Sequence, residues 1–145
     1  MTNFKEEIEK ISSESHIPGI RRIDSVLFEF SRNPINSNRF DLIMMANDKM
    51  GNGMGSKVMN VFTKLADKHN VEIYLTAIPI LHNSPENAQR LIKWYARNGF
   101  SFDKMEVSDN WVECGMRMTR SPNSKEFIFD ADELLPLPKY NDIRF

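Results

Sequence analysis

The sequence carries a single cysteine, Cys114, among its 145 residues. No disulfide can form within the chain, so packing alone must hold the fold, and the composition suits a reducing compartment. No apolar run approaches the ~20 residues that a membrane-spanning helix needs. The opening stretch "MTNFKEEIEK" is acidic and lacks the apolar centre of a signal peptide. Net charge is scarce too: 19 basic residues against 20 acidic ones leave −1, and Arg21-Arg22 is the only basic pair of note. A nucleic-acid partner selects for a clustered basic excess, so that class falls away. The three histidines, His16, His69 and His82, show no metal-ligand spacing, and no metal is expected. These absences describe a cytoplasmic protein with neither a membrane nor a nucleic-acid partner.

What is present is ordinary globular material, 41% hydrophobic and 27% charged, long enough to bury a core. The boundaries read as one domain over 1–120 and an extension over 121–145. That tail mixes turn residues with "FIF" and "LLPLP". An arm, an added strand and an oligomer contact, a homodimer included, are all open for it.

Periodicity orders the elements. Phe4, Ile8 and Ile11 share one helical face, and Pro18-Gly19 stops that helix. "DSVLFEFS" alternates Val26, Phe28 and Phe30 as a strand does, and "RFDLIMMA" follows as its hairpin partner. Val58, Val61, Phe62, Leu65 and Ala66 repeat at helical spacing, closed by His69-Asn70. "VEIYLTAIPI" is then a strand, so a parallel strand-helix-strand unit is expected. Ser84-Pro85-Glu86 starts a helix whose apolar stripe is Ala88, Leu91, Ile92 and Tyr95, ended by Gly99. "FSFDKMEV" and "WVECGMRMTR" read as two closing, paired strands, with Val112, Cys114, Met116 and Met118 alternating along the second.

Only six glycines occur, yet Gly51, Gly53 and Gly55 stand together in "NDKMGNGMGSKVMN", directly before a helix. Without a Cβ, their amides can converge on one point, and a helix start supplies free N–H groups and a positive dipole end. Together these suit a phosphate-like anion. A P-loop requires Gly-Lys-Ser/Thr, but Ser56 precedes Lys57 here. A dinucleotide fingerprint requires a third glycine where Ser56 stands. A plain glycine-rich turn is the bland alternative.

"MGNGMGSKVM" resembles the pyrophosphate loop of the GCN5-related N-acetyltransferases, with Gly53 and Gly55 on its two small-residue positions. "RLIKWYARNGF" is similar to that family's later motif, a helix carrying a tyrosine (here Tyr95) four residues before Gly99-Phe100. The resemblance spans about residues 24 to 120, in the family's order of elements, and is to the small phage and bacterial type with a shortened N-terminal region. Met50 stands at the family's Gln/Arg position, Ala46 replaces a frequent proline, and the helix-start Asn is displaced to Asn87.

The resemblance implies an α/β (α+β) fold, a mixed and mostly antiparallel sheet flanked by helices around the strand-helix-strand unit. It implies acetyl-CoA as co-substrate and a primary amine as acceptor, on a protein lysine, an N-terminus or a small molecule. In that frame Met50, Gly51, Asn52, Gly53, Met54, Gly55 and Ser56 bind the pyrophosphate. Met44, Met45 and Ala46 run beside the pantetheine arm, Asn87 is a further coenzyme contact, and Tyr95 is the catalytic donor to the departing thiolate. Asp41, Glu72, His82 and Glu113 are the candidate bases, and nothing in the sequence selects one. Cys114 reads as a buried structural thiol. The alternative function is a non-catalytic acyl-CoA-binding or partner-binding module on the same fold.

Overall fold

The structure is a computed structural model and describes residues 2–49, 51–79, 83–130 and 134. Contacts divide the chain into two compact units, Met1–Leu75 with Ser121–Asn123, and Thr76–Arg120 with Ser124–Phe145.

The first unit opens with helix α1 (Phe4–Ile11), capped by Asn3, whose side chain accepts the Glu6 N–H at 2.8 Å. Phe4 and Ile8 are buried, but Ile11, expected beside them, is 46% exposed. The helix ends there because Ser12 is extended and its hydroxyl returns to the Ile8 carbonyl. Two short antiparallel strands follow, β1 (Ser13–Glu14) and β2 (Arg21–Ile23), which no apolar alternation announces.

Strands β3 (Val26–Arg32) and β4 (Arg39–Asn47) form the expected antiparallel hairpin. Its register slips once: Glu29 faces Met44 and Phe30 faces Leu42, which leaves Ile43 as the extra residue of a β-bulge. Helix α2 (Met54–Lys68) then leads to β5 (Glu72–Ala77), parallel to β4, completing the strand-helix-strand unit.

The core of this unit is aromatic. Phe62 of α2 lies 4.8 Å from Phe28 and 4.9 Å from Phe30, and Phe4 of α1 lies 4.8 Å from Phe40, measured between ring centres. Both helices therefore cover the same face of β3 and β4. Burying each such ring contributes about 1.5–3 kcal/mol. Helix α2 buries Val58, Met59, Phe62, Thr63 and Ala66. Val61, expected in that stripe, is 38% exposed, so the buried face is turned toward Met59 and Thr63. Asn70 takes φ 58° after the helix, the left-handed conformation expected of it.

The second unit begins inside β5 and holds α3 (Pro85–Arg97), α4 (Trp111–Cys114) and β6 (Met116–Arg120). The expected pair of closing strands is replaced. "FSFDKMEV" contributes only an isolated bridge, Ser101 to Thr119, and a 3-10 turn at Lys104–Glu106. "WVEC" is helical, and strand structure starts only at Met116.

Gly115 makes that break. Its φ is 88°, and a Cβ there would lie 2.5 Å from the Thr76 methyl, so a side chain meets both strain and a clash. The sheet order is β1-β2-β3-β4-β5-β6, with antiparallel pairs from β1 to β4 and a parallel pair between β4 and β5. This is a mixed, mostly antiparallel α+β sheet with helices. Within the second unit, residues of the 121–145 stretch join the core: Phe127 and Phe129 pack on Phe102, and the Phe127 N–H bonds the Ala96 carbonyl at 2.9 Å.

Candidate functional site: an opening beside β4 and the start of α2

The ladder between β4 and β5 is short. It pairs Arg39 with Glu72, Phe40 with Ile73 and Asp41 with Tyr74, and stops there. The closed end is clamped: the Arg39 guanidinium stacks 3.6 Å from the Tyr74 ring centre, and its Nε donates to Asp41 at 2.9 Å. Beyond Asp41, β4 continues through Leu42 to Asn47, bonded among the described strands to β3 alone.

Alternation decides which amides face the open side. The Asp48 N–H bonds the Ser25 carbonyl of the β3 side at 2.8 Å, so Ala46 and Met44 direct their backbone groups to β3 as well. Met45 and Asn47 then point theirs away from β3. The bulge at Ile43 produces this phase, since the Arg39 carbonyl, before it, faces β3 and accepts the Asn33 N–H. Of the three predicted coenzyme neighbours on β4, Met45 is thus the one with a free-facing amide.

Strand β4 runs directly into the glycine segment. Gly51 (φ 84°) and Gly53 (φ 78°) occupy the left-handed region. Gly53 caps α2 and provides no side-chain acceptor, and the first turn contains no acid. Nothing lies within 4 Å of a Cβ built at Gly51, Gly53 or Gly55, so the space over the loop is open. Helix geometry leaves the Gly55 amide without an intrahelical acceptor, at the positive end of the dipole. The residues present fit a pyrophosphate, held by backbone donors.

The loop is pinned by a ring of three side chains that the sequence alone does not reveal. Ser25 Oγ donates to Asn47 Oδ1 (2.6 Å), Asn47 Nδ2 to Asn52 Oδ1 (2.8 Å), and Asn52 Nδ2 back to Ser25 Oγ (3.0 Å). Asn52 Oδ1 also accepts the Met54 N–H, and Asn47 Oδ1 the Lys49 N–H. Ser25 is buried, so this closed ring fixes the loop to β3. Among the predicted loop residues Asn52 is therefore a brace. In the sequence Ser25 is only part of the strand segment "DSVLFEFS", with no signal for this role.

The other predicted residues fall as follows. Met44, Met45, Ala46 and Gly51 to Ser56 share the first unit, while Met50 lies outside the described residues. Asn87 and Tyr95 belong to α3 in the second unit. Asn87 bonds Ser84 Oγ through its N–H and accepts from Arg90 at 3.2 Å. Tyr95 is buried against Trp94 and Phe100. Burial pushes its phenol up to about 12, and no hydrogen bond to its hydroxyl is found among the described residues.

Of the candidate bases, Asp41 is paired to Arg39, Glu113 is exposed on α4, Glu72 is half-buried in β5, and His82 lies outside the described residues. Cys114, expected to be buried, is exposed at the end of α4, because its segment is a helix and not a strand. Among the described residues no helix is long and apolar enough to cross a membrane, and no group of acidic, histidine or cysteine side chains is placed to hold a metal ion.

No family model matches the chain, and no curated protein matches it. Among solved structures it is similar to the crystal structure of anti-CRISPR protein AcrVA5, with 20% identity, 76% of this chain and 98% of that chain covered, and a TM-score of 0.48.

Proposed function

We propose that the chain is an acetyl-CoA-dependent N-acetyltransferase that delivers the acetyl group to a primary amine. One observation carries this reading: the β4–β5 ladder ends at Asp41–Tyr74 while β4 runs on, unpaired on that side among the described residues, into a glycine-started helix with no acid in its first turn. An extended arm carrying amides can complete the free edge of β4, as an added strand does. The pyrophosphate at its end meets the start of α2.

The Met45 N–H is the donor facing a thioester carbonyl laid along that edge, where negative charge develops as the amine attacks. The C–N bond forms, the C–S bond breaks, and sulfur leaves as a thiolate. The motif resemblance assigns Tyr95 the part of donor to the departing sulfur. A phenol at about 12 does not surrender its proton to a thiolate whose thiol is near ~8.5, so its part is a hydrogen bond that strengthens as charge appears. The amine loses its proton to water or to a residue of the acceptor's own surroundings.

The test is calorimetry with acetyl-CoA followed by free-thiol release across a panel of amines and lysine peptides. Binding with amine-dependent thiol release supports the transferase. Binding without release leaves the acyl-CoA-binding module. No binding at millimolar ligand removes both.

A further inference from the structure

The first unit holds a second cavity, of about 300 Å³, between α1 and the sheet. Its floor is made by Phe28, Phe30 and Phe40, and Phe4 and Ile8 of α1 form one wall. It does not belong to the donor site. Val26 pairs with Asn47 beside the glycine segment, whereas the cavity sits where Arg32 pairs with Phe40. Seven residues of strand put those ends roughly 20 Å apart.

The rim has an unbalanced charge. Lys5, Arg21 and Arg32 line it against Glu9 alone, in a chain whose formal charge is −1. Lys5 and Arg32 have no ion-pair or hydrogen-bond partner among the described residues. Arg21 is fixed, but only by neutral acceptors: Ser12 Oγ at 2.6 Å, the Ser12 carbonyl at 3.1 Å and the Glu9 carbonyl at 3.2 Å. Its guanidinium is thus held in place with no ion pair within 4 Å among the described residues, although Glu14 stands opposite it in the β1–β2 register, and Nη1 is left over. Glu29 alternates to the opposite face of β3, yet its carboxylate lies 3.8 Å from a Cβ built at the lining residue Gly19, which makes it a second acid near the rim, unpaired within 4 Å with Lys5, Arg21 or Arg32.

We propose that this cavity binds a small monocarboxylate with an aromatic or branched apolar body. The apolar part lies against Phe30, the half-buried ring of the floor over the fully packed Phe28 and Phe40, and the carboxylate meets Arg21, Arg32 and Lys5. The volume is at the small end of ligand sites, enough for one ring and a short chain and too little for a nucleotide. A planar guanidinium already aimed by three bonds matches a carboxylate with two N–H groups and little further ordering. The site is independent of acetyl transfer and stands or falls without it.

The probe is 3-phenylpropionate, titrated against the full chain by ligand-observed NMR, with 3-phenylpropylamine and 3-phenylpropanol as isosteres. The carboxylate is expected to saturate and to bind at least ~10-fold tighter than the amine, with the gap shrinking as salt rises. Arg32→Ala and Lys5→Ala, both at exposed positions, should each weaken it by roughly 5-fold, and saturating acetyl-CoA should not displace it. Four results each overturn the proposal: no saturation by ~10 mM, equal binding of the amine or alcohol, affinity unchanged in both variants, or displacement by acetyl-CoA. Capture of acidic peptides with no binding of the probe overturns it too.

Discussion

Helices α2 and α3 begin in opposite ways. Helix α3 is closed by its own sequence: Ser84 Oγ accepts the Asn87 N–H at 3.1 Å, Pro85 needs no acceptor, and Glu86 answers the dipole. Helix α2 has Gly53 at the same position, no side-chain cap from it, no acid in the first turn, and empty space above Gly51, Gly53 and Gly55. A fold needs only the first kind of start for stability. The second satisfies the Met54 N–H through Asn52 but leaves the dipole without an acid, while the Ser25–Asn47–Asn52 ring holds the loop still. Satisfied and unsatisfied ends in one chain show where stability was optimised and where a ligand is expected to supply what is missing.

The sharpest way to break this contrast is to give α2 the acid that α3 already has. Gly55→Asp puts a carboxylate in the first turn at a position with ordinary φ and nothing within 4 Å. It should leave the protein folded, with a dipole gain of about 0.3–1 kcal/mol in thermal unfolding. Acetyl-CoA affinity should fall by at least ~100-fold, because the carboxylate occupies and repels the pyrophosphate.

Tyr95→Phe tests the other end of α3. Turnover should drop ~10-fold or more with coenzyme affinity within about twofold, read as a kcat change at constant KM for acetyl-CoA. The tyrosine's folded pKa is raised, to about 12 from an unfolded value near 10, so its contribution is whole below pH ~10 and is lost as pH climbs toward 12. Phe at this position should flatten that alkaline loss in a denaturant series.

Closing the comparison from the α3 side, Ser84→Ala should cost ~1 kcal/mol of stability by chemical denaturation and leave coenzyme affinity at the wild-type value. The smallest effect concerns α1. Glu7 bonds His69 and Lys68 of the α2 terminus, and the His69 bond followed by the Lys68 bond hold its carboxyl below the usual range. A depressed carboxyl contributes stability present above the unfolded value and lost as pH falls through the folded one. Glu7→Gln should therefore lower stability slightly at neutral pH, with the difference from wild type closing as pH falls below ~4.3, which shallows the acid limb of the profile.

Much of the fold was legible from period and punctuation. The β3–β4 hairpin, α2, the parallel β5 and the Ser84 start of α3 carry strong local signals, and the structure has each of them. The glycine loop was legible because glycine at three alternate positions before a helix destabilises the chain unless the backbone must turn or stay open there. The errors share a cause in distant contacts. "WVECGMRM" alternates like a strand, but the close approach of Thr76 to Gly115 breaks it into a helix and a shorter strand. The strands β1 and β2 have no apolar alternation because neither buries a face. The Ile43 bulge depends on register with β3, and the Ser25–Asn47–Asn52 ring on a serine 22 and 27 residues from its two asparagines, which no local pattern encodes.

The central claim is that the open start of α2 and the free edge of β4 receive acetyl-CoA. Its most direct measurement is an isothermal titration of acetyl-CoA into the wild-type chain and into Gly55→Asp, with the fold of both checked by circular dichroism. Saturable binding to the wild type and its loss in a folded Gly55→Asp chain is the expected result. Equal affinity in the two, or no heat with either at millimolar ligand, contradicts the claim.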